Sequence, residues 1–375
     1  MSDKSNRMAI WVVTFSFNTF QDAIMKLCKF PSQLAIIGAG SWGTALAVHA
    51  ARQGLAVTIW ARKQEVADQI NMNHENPAFL PDLKLPVGVT AVTDLAGALK
   101  GQTLVLVVVP SHVMREIAAQ MAPVLEPEAI ILSASKGIED ETSATMVQIL
   151  EKELKSCRGL ELGAISGPSF AKEVAAGLPT AVTLAMRSRF MAKAVQTHLS
   201  SPTFRIYTSL DMVGVELGGA LKNVYAIATG ICDGFNLGLN ARAAMLPRAL
   251  AEMSRMAVAM GANPMTLMGL SGMGDLILTA TGDLSRNRKV GLKLGAGEKL
   301  ADIMANSREV AEGVRNARSI QNMAQQYQVK MPMAREVYRV LYENKEPRQG
   351  MVDLLTRRLK DELDPQYEIL NNCEL

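Results

Sequence analysis

The segment Gly38-Ala-Gly-Ser-Trp-Gly43 constrains the fold of this 375-residue chain more than any other feature. It follows a short apolar run, Leu34–Ile37, and precedes a stretch of helical periodicity, Thr44–Gln53. A G-x-G-x-x-G sequence between a strand and a helix is typical of a dinucleotide-binding turn. The first glycine would allow the tight turn, Gly40 would let the backbone approach a pyrophosphate, and the last would let helix and strand pack closely. The alternative is a tight strand–helix turn that binds no ligand.

The end of the next predicted strand bears on which dinucleotide is bound. An NAD-specific site usually places a carboxylate on the ribose 2′-hydroxyl about 20 residues after the glycine turn. This chain has Trp60-Ala-Arg62-Lys63 there. A guanidinium can fork onto a 2′-phosphate that a carboxylate would repel, so we expect the site to accept NADP and to prefer it. An ordinary solvated Arg-Lys pair is the alternative, which leaves the choice between NADP and NAD open.

Short apolar runs alternate with helical periods up to about residue 208, which predicts a mostly parallel sheet with crossover helices. The predicted strands are Leu34–Ile37, Val57–Trp60, Thr103–Val109, Ala129–Ser133, Leu162–Ser166 and Ala181–Ala185. Beyond Asp211 helical periods take over, at 211–231, 242–260, 307–326, 332–342 and 349–362. We take Asp211 and Ser307 as N-caps and Gly230 and Gly261 as helix ends.

This pattern predicts an α/β Rossmann-type domain with a doubly wound, mostly parallel sheet, followed by an all-α C-terminal domain. We expect a dinucleotide-binding domain at 34–210 and a helical substrate and catalytic domain at 211–362. Residues 1–33 form an extension of unknown role, and 363–375 a polar tail. The apolar run Ala9–Phe20 is too short to span a bilayer. A signal peptide is one alternative, since Lys4 and Arg7 precede the run, but no small-residue cleavage site follows it. The others are an ordered strand or helix packed on the domain and an upstream start, with Met25 the more natural beginning.

Composition excludes several classes of protein. The chain has 39 Lys and Arg against 36 Asp and Glu, and the excess is not gathered into a block that would follow a nucleic-acid backbone. Its four cysteines lie far apart without metal-ligand spacing, so we expect no metal site and no disulfide framework. We therefore predict a cytoplasmic protein that binds no nucleic acid and does not insert stably into membranes.

Two lysines stand where a packed core would not place them. Lys136, in Ser135-Lys136-Gly137, comes just after a buried strand, at the edge where open α/β sheets bind ligands, although a plain turn would look the same. Lys222 lies in a helical segment that is apolar on nearly every side, where a lysine is costly unless it is paired or faces a cavity. Gly218 and Gly219 precede it by one turn and would leave space for a ligand, although tight helix packing explains them equally well.

A third polar segment follows Ser271-Gly-Met-Gly. Asp275 and Thr279 are four residues apart and would share one helix face, where Asp275 could hold an ammonium. Arg286 and Asn287, in Ser285-Arg-Asn-Arg288, offer donors suited to a phosphate. A surface loop with an N-cap aspartate is the alternative.

Taken in order, these motifs resemble the bacterial NAD(P)-dependent sn-glycerol-3-phosphate dehydrogenases. The resemblance runs from about Leu34 to about Lys360. It depends on the glycine turn together with Val109-Pro-Ser-His112, Ser135-Lys-Gly137, Ser166-Gly-Pro-Ser-Phe-Ala-Lys-Glu173, Gly218-Gly-Ala-Leu-Lys-Asn-Val-Tyr-Ala-Ile-Ala228, Gly272-Met-Gly-Asp275, Ser285-Arg-Asn-Arg288 and Val310-Ala-Glu-Gly313. It implies a Rossmann-type domain followed by a helical one, and reversible interconversion of dihydroxyacetone phosphate and sn-glycerol 3-phosphate for phospholipid synthesis. It also implies a homodimer that needs no metal.

The resemblance assigns roles by position. Lys222 would be the proton acceptor and donor, assisted by Lys136 and Asp275. The expected substrate-binding residues are Lys136, Gly167, Ser169, Lys222, Asn223, Asp275, Thr279, Ser285, Arg286 and Asn287. The expected cofactor-binding residues are Gly38, Gly40, Ser41, Trp42, Gly43, Arg62, Lys63, Lys136, Ala171, Arg286, Val310 and Glu312.

The departures from the family pattern are few. Trp42 stands where Phe or Tyr is usual, and Arg62-Lys63 replaces a basic residue plus His. Two rival hypotheses use similar parts. One is another two-domain NADP-dependent dehydrogenase, of the 2-hydroxyacid or ketopantoate reductase type, although a substrate without phosphate would not need the cations at 136 and 285–288. The other is a non-catalytic NADP-binding sensor, which would not need a buried lysine.

Overall fold

The computed structural model describes residues 31–306, 311–359 and 361–362. The strands within this part of the chain are β1 (Gln33–Ile37), β2 (Ala56–Trp60), β3 (Glu75–Asn76), β4 (Leu80–Lys84), β5 (Val89–Val92), β6 (Leu104–Val107), β7 (Ile130–Ser133), β8 (Glu161–Ser166), β9 (Thr180–Met186) and β10 (Phe204–Ser209). Eight of them form one sheet in the order β10-β9-β8-β7-β6-β1-β2-β5, and β3 pairs with β4 separately. Neighbouring strands of the large sheet run parallel except β8 and β9, which pair antiparallel.

Helices cover both faces of this sheet. They are α1 (Ser41–Arg52), α2 (Gln64–Asn73), α3 (Leu95–Leu99), α4 (Met114–Met121), α5 (Met146–Glu153), α6 (Ala171–Ala176) and α7 (Arg189–Leu199). Side chains of β1 alternate between two cores: Leu34 and Ile36 join one, and Ala35 and Ile37 the other. Strand β1 lies between β2 and β6, so the strands that follow it are added on both of its sides. In open α/β sheets, ligands bind at the carboxyl ends of the strands at such a point.

The second half of the chain is helical throughout its described residues. It contains α8 (Met212–Gly234), α9 (Gly238–Ala259), α10 (Pro264–Leu267), α11 (Asp275–Thr281), α12 (Arg286–Gly295), α13 (Leu300–Ala305), α14 (Glu312–Gln326), α15 (Pro332–Tyr342) and α16 (Pro347–Leu355). Helix α8 is buried without interruption from Gly214 to Ile231, and the other helices pack around it. A helix that is apolar all round has no solvent-facing side, so α8 forms the centre of this half.

The predicted fold class is confirmed, and so are the six predicted strands, with bounds shifted by one or two residues at most ends. The sequence did not lead us to predict β3, β4, β5 or β10. Strand β10 carries the alternation of an edge strand, with Phe204 and Ile206 buried and Arg205 and Tyr207 exposed, which is the signal that could have found it.

Helix boundaries were predicted less well. Asp211 caps α8, since its side chain accepts a hydrogen bond from Gly214 N at 2.9 Å, and Gly261 follows α9 with φ of 81°. Gly230 was wrongly predicted to end a helix: it lies inside α8, where it contacts α12 closely. The segment predicted at 349–362 ends at Leu355. The predicted N-cap Ser307 lies outside the described residues.

Within the described residues no helix is long and apolar enough to cross a membrane. In the same part of the chain, no group of three or more His, Cys, Asp or Glu side chains could hold a metal ion. Cys157 and Cys232 are free thiols.

Candidate active site

The glycine turn between β1 and α1 has the geometry of an anion-binding cradle. Gly38 has φ of 126°, and a Cβ there would lie 2.4 Å from the carbonyl oxygen of Val108. A Cβ on Gly43 would lie 2.0 Å from the carbonyl oxygen of Gly38, so helix and strand meet backbone to backbone. Gly40 has no described atom within 4 Å of its Cβ position, which leaves its outer side open for a ligand.

The N-terminus of α1 fits a pyrophosphate. Gly40 is its N-cap, no side chain caps its first N–H groups, and its first turn has no acidic residue. These N–H groups have no intrahelical partner and favour an anion. The Ser41 hydroxyl donates to Phe79 O at 2.7 Å, so this side chain binds the segment between β3 and β4. Trp42 packs against the core, and its buried Nε1 has no hydrogen-bond partner among the described residues. The residues present therefore fit a dinucleotide.

The end of β2 carries the expected positive charge. Arg62 and Lys63 are both exposed, and Lys63 is the N-cap of α2. Burial is the main cause of the lowered pKa of His112, and the charges of Arg315 and Arg62 lower it further. The charges of Arg315 and Arg62 therefore act on the same imidazole, and the charge of Asp140 opposes them.

A cluster of two lysines and one aspartate, of which Lys222 and Asp275 are buried and Lys136 is partly buried, joins the sheet half to the helical half. Asp275, at the start of α11, is 1% exposed, and its two carboxylate oxygens bind different ammonium groups. Lys136 Nζ donates to one oxygen at 2.8 Å and to the Gly167 carbonyl at 3.0 Å. Lys222 Nζ donates to the other oxygen and, at 2.7 Å, to the Thr279 hydroxyl. The predicted pairing of Asp275 with an ammonium and its shared helix face with Thr279 are as observed.

The environment of Lys222 tunes its acidity. The pKa of its ammonium is lowered to about 7, chiefly by burial; Asp275 opposes this shift, and the nearby charge of Lys136 adds to it. A group with a pKa near neutrality can both give and take a proton at working pH. The arrangement therefore suits Lys222 to general acid–base chemistry and Asp275 to holding it in place.

The glycines before Lys222 do not leave the space that the sequence suggested. A Cβ on Gly218 would lie 2.4 Å from the carbonyl oxygen of Ser271, so this glycine serves tight backbone packing. A Cβ on Gly219 would meet Ser166 Oγ at 2.4 Å and the Lys136 side chain at 3.4 Å. The prediction of open space for a ligand was wrong at both positions, because protein atoms fill it. Gly219 instead makes room for the stem of Lys136.

The loop after β8 supports the lysines. Gly167 has φ of 149°, and a Cβ there would lie 2.9 Å from Val182 Cα. Its carbonyl oxygen also accepts a hydrogen bond from the Ser169 hydroxyl at 2.9 Å. Ser169 thus stabilises the loop that binds Lys136. Ala171 begins α6 and packs against the sheet core.

The N-terminus of α12 carries the other predicted phosphate donors. Ser285 caps this helix by accepting from Arg288 N at 3.2 Å, and Arg286 is exposed at its first position. Asn287 is buried and donates to Asn223 Oδ1 at 2.9 Å. The charge of Arg286 acts on Glu312, whose pKa is raised chiefly by burial. Val310, predicted to bind the nucleotide, lies outside the described residues.

Helices α8 and α12 cross through paired glycines. A Cβ on Gly230 would lie 2.2 Å from the carbonyl oxygen of Arg288, and one on Gly291 2.1 Å from that of Ile227. Gly234 and Gly295 repeat this contact one turn later. Since only glycine permits such an approach, the crossing sets the distance between Lys222 and Asn223 on one helix and Arg286 and Asn287 on the other.

Three supporting residues escaped the sequence analysis. Glu216 on α8 accepts from Thr145 Oγ1 at 2.7 Å and Val147 N at 2.8 Å, which ties the lysine-bearing helix to the start of α5. Asn316 Nδ2 donates to Ala220 O at 3.1 Å, and Ser111 Oγ to Glu312 at 3.4 Å. A buried polar side chain in an apolar helix was the available signal for Glu216; only the tertiary contacts identify the other two.

A dinucleotide cradle on a mostly parallel sheet, followed by a helical half that carries Lys222 and Asp275, is typical of NAD(P)-dependent dehydrogenases of the two-domain Rossmann type. Models of the N-terminal and C-terminal parts of NAD-dependent glycerol-3-phosphate dehydrogenase match residues 33–192 and 211–352. The chain belongs to the NAD-dependent glycerol-3-phosphate dehydrogenase family.

Relatives from several bacteria are similar over nearly their whole length. The chain is 50% identical over 330 residues to glycerol-3-phosphate dehydrogenase [NAD(P)+] of Citrifermentans bemidjiense, covering 88% of this chain and 98% of the relative. It is 49% identical over 329 residues to the enzyme of the same name from Myxococcus xanthus, with the same coverage of both chains.

Solved structures that resemble the chain include one of the same family. The crystal structure of glycerol-3-phosphate dehydrogenase from Coxiella burnetii superposes with a TM-score of 0.83 at 40% identity, covering 87% of this chain and 99% of that one. A ketopantoate reductase from Ralstonia eutropha shares the fold alone, with a TM-score of 0.55 at 16% identity. The comparisons thus favour the family that the motifs indicated over the ketopantoate-type alternative.

Proposed function

We propose that this chain catalyses the reversible reduction of dihydroxyacetone phosphate to sn-glycerol 3-phosphate with NADPH or NADH, with Lys222 as the acid and base. The observation that carries the proposal is the number of hydrogen bonds that Lys222 and the partly buried Lys136 donate to the protein. An ammonium has three hydrogens. Lys222 donates two, to Asp275 and Thr279, and Lys136 donates two, to Asp275 and Gly167, among the described residues. Each therefore keeps one donor for a substrate oxygen.

The dinucleotide, when bound, supplies or accepts the hydride at the carbon that changes oxidation state. In reduction, Lys222 as an ammonium donates its remaining proton to the oxygen on that carbon as negative charge develops there. In oxidation, the neutral amine takes the hydroxyl proton. Asp275 and Thr279 hold the amine in one orientation in both directions, because each contacts it directly. Fixed donors in a water-poor site stabilise a developing oxyanion more strongly than water does.

Charge around the cluster suits a phosphorylated substrate. Two lysines against one aspartate leave one net positive charge in the cluster when both are protonated. The exposed guanidinium of Arg286 and the N-terminus of α12 add donors at the side where Asn287 lies. Phosphate is bound well by guanidinium groups and by helix N-termini. We therefore propose that the substrate phosphate lies toward α12 and the reacting carbon toward Lys222.

We propose different roles in cofactor and substrate binding for the two halves of the chain. Residues 34–210 would supply most of the cofactor site, to which Arg286 and Glu312 add from the helical half, and 211–362 would supply the substrate site together with Lys136. NADP preference is supported by Arg62 and by the absence of a carboxylate in the described segment from Trp60 to Lys63. The homodimer and the cytoplasmic location stay predictions from the sequence.

The test is a substrate panel with purified protein and NADPH, followed by nicotinamide absorbance. We expect NADPH to be oxidised rapidly when dihydroxyacetone phosphate is added. We expect little oxidation of NADPH with dihydroxyacetone, glyceraldehyde 3-phosphate or ketopantoate. Turnover of ketopantoate or of unphosphorylated dihydroxyacetone at the rate of dihydroxyacetone phosphate would contradict the proposed substrate. Absence of turnover with every compound would contradict the proposed activity.

A further inference from the structure

The connection between β7 and α5 carries Lys136 and lies against α8. It spans residues 134–145 and folds back on itself, since Ile138 and Thr145 pair in an isolated antiparallel bridge. Ile138 is 2% exposed and belongs to the core of the helical half. Two residues earlier, the stem of Lys136 lies beside Gly219 of α8, whose Cβ position is 3.4 Å from Lys136 Cγ. The base of this β7–α5 connection is therefore packed on α8.

A buried carboxylate on α8 binds the end of the same connection. Glu216 is 8% exposed, and its two oxygens accept hydrogen bonds from Thr145 Oγ1 at 2.7 Å and from Val147 N at 2.8 Å. Thr145 is the N-cap of α5, and its hydroxyl accepts a hydrogen bond from Gln148 N, so its own proton is directed to Glu216. The N-terminus of α5 also favours the negative charge of the carboxylate. Glu216 thus joins α8 to the β7–α5 connection and to the first turn of α5.

Glu216, Gly219 and Lys222 follow one another at three-residue intervals, so they lie along one strip of α8. At one end of this strip, Glu216 holds the last residue of the β7–α5 connection. At the other end, Asp275 binds the ammonium groups of both Lys222 and Lys136. Gly219 lies between them and accommodates the Lys136 stem. The way the connection packs on this strip therefore determines where the Lys136 ammonium lies relative to Lys222.

The tip of the β7–α5 connection is held by other groups. Arg115 on α4 donates to Glu139 at 2.8 Å, and Ser319 on α14 donates to Asp140. Neither of these contacts involves α8. The connection should therefore stay attached to the protein when its contact with α8 is weakened, and only the position of its base against α8 should change.

We propose that Glu216 is a positioning residue for Lys136: by holding the β7–α5 connection against α8, it places the Lys136 ammonium where it can bind Asp275 and the substrate together. This inference rests on the proposed function, in which Lys136 keeps one donor for a substrate oxygen. Both oxygens of Glu216 are bound to the protein. Its effect on the reaction therefore passes through Lys136 and not through contact with the substrate.

The first test is a double-mutant cycle of Glu216→Gln and Lys136→Met. Glutamine keeps the length of the side chain, but it replaces one accepting oxygen with a donor and removes the negative charge at the N-terminus of α5. We expect Glu216→Gln to lower kcat/KM for dihydroxyacetone phosphate about tenfold. In the Lys136→Met background the same change should cost about threefold or less, because the lysine that it positions is absent. An equal loss in both backgrounds would overturn the proposal, and so would full activity of Glu216→Gln.

Glu252→Gln is the matched control. Glu252 on α9 is 2% exposed and accepts hydrogen bonds at the start of α15, from Met333 N at 2.8 Å and Ala334 N at 3.2 Å. It is thus a second buried carboxylate at a helix N-terminus, but these contacts lie within the helical half. We expect Glu252→Gln to lower the free energy of unfolding in urea as Glu216→Gln does, with little change in kcat/KM. If it lowers kcat/KM as much as Glu216→Gln, general destabilisation explains the loss and the proposal is wrong.

The second test follows Lys136 without any substrate, by labelling lysines with acetic anhydride and reading each site by mass spectrometry. The Lys136 ammonium is partly buried and donates to Asp275 and to the Gly167 carbonyl, which protects it from the reagent. We expect Glu216→Gln to raise the labelling rate of Lys136 severalfold, with exposed Lys289 unchanged as the internal reference. An unchanged rate at Lys136 would overturn the proposal.

A second variant and the wild-type protein complete the design. Should Glu216→Gln fold poorly in a melting curve, Thr145→Val, which removes the hydroxyl that Glu216 binds, takes its place in both tests with the same criteria. Wild-type turnover in the substrate panel tests the proposed function separately. If the wild-type protein turns over no substrate, the proposed function fails, while the labelling still decides whether Glu216 positions Lys136.

Discussion

Thr279 and Lys222 make a hydrogen bond of 2.7 Å that helps to fix the orientation of the amine. The Thr279 hydroxyl also donates to Asp275 at 3.3 Å, so the three groups form a closed triangle of contacts. A buried ammonium without partners would be strongly destabilising, and each contact here offsets part of that cost. The triangle allows a lysine to stay in an otherwise apolar helix and to change protonation state there.

Replacing Lys222 with Met should abolish most turnover while the cofactor still binds. Methionine is similar in length and keeps the packing of α8, and Asp275 retains Lys136 as its partner. We expect kcat to fall by about 10² to 10⁴, the usual contribution of a general acid–base group. Steady-state kinetics and NADPH titration measure the two quantities. The control is Lys289→Met, which changes an exposed lysine on α12 and should leave kcat unchanged. A near-normal kcat in Lys222→Met would refute Lys222 as the general acid and base.

The pH dependence should have opposite signs in the two directions. With a pKa of about 7, the Lys222 ammonium is lost as pH rises through neutrality. Reduction needs the protonated form, so kcat/KM for dihydroxyacetone phosphate should fall about tenfold per pH unit above that pKa. Oxidation needs the neutral amine, so kcat/KM for sn-glycerol 3-phosphate should rise toward a plateau over the same range. If the residual rate of Lys222→Met shows the same pH dependence in both directions, the titrating group is not Lys222.

The crossing of α8 and α12 should tolerate no side chain at its centre. Gly291→Ala places a methyl 2.1 Å from the carbonyl oxygen of Ile227, so the helices must separate. Overpacking of this kind costs about 1–3 kcal/mol, against a gain of about 1 kcal/mol in helix propensity. We expect a lower free energy of unfolding in urea and a higher KM for dihydroxyacetone phosphate.

Gly350→Ala is the matched control for this substitution. It also lies inside a helix, but a Cβ there would approach only side-chain atoms, the nearest being Glu336 Oε2 at 3.3 Å, and no backbone atom. We expect it to be neutral or stabilising. Equal unfolding free energies for the Gly291 and Gly350 variants would show that the crossing is not tightly packed.

Arg62→Asp should weaken NADPH more than NADH. The change replaces a cation that suits a 2′-phosphate with an anion that repels it and suits a 2′-hydroxyl. We expect KM for NADPH to rise about tenfold or more, with KM for NADH changed little or lowered. Arg205→Asp, on the exposed side of β10, makes the same change in net charge away from the end of β2. Equal effects on both cofactors would mean that Arg62 does not contact the 2′-phosphate.

Local sequence determined the sheet half of the molecule well. Buried parallel strands are short uninterrupted apolar runs, and the glycine turn depends on close neighbours in the chain. Both can therefore be predicted from a short stretch of sequence. Helix ends were predicted less reliably because glycine has two uses. Gly261 ends α9, whereas Gly230 lies mid-helix to admit α12, and the difference depends on Arg288 and Gly291, which lie far along the chain from it.

The sequence by itself also determined that Lys222 must be paired or face a cavity, because an isolated ammonium is costly inside an apolar helix. Only the tertiary structure decided how. Asp275 binds Lys222 and Lys136 at once, and Gly219 makes room for Lys136 where open space was expected. Asn287 accepts a hydrogen bond from Gly313 N on α14 and donates one to Asn223 on α8. These hydrogen-bonded partners are separated by 26 to 139 residues in the chain. Hydrogen bonds and backbone contacts over such separations leave no periodic pattern in the sequence, so they emerge only when the helices are packed.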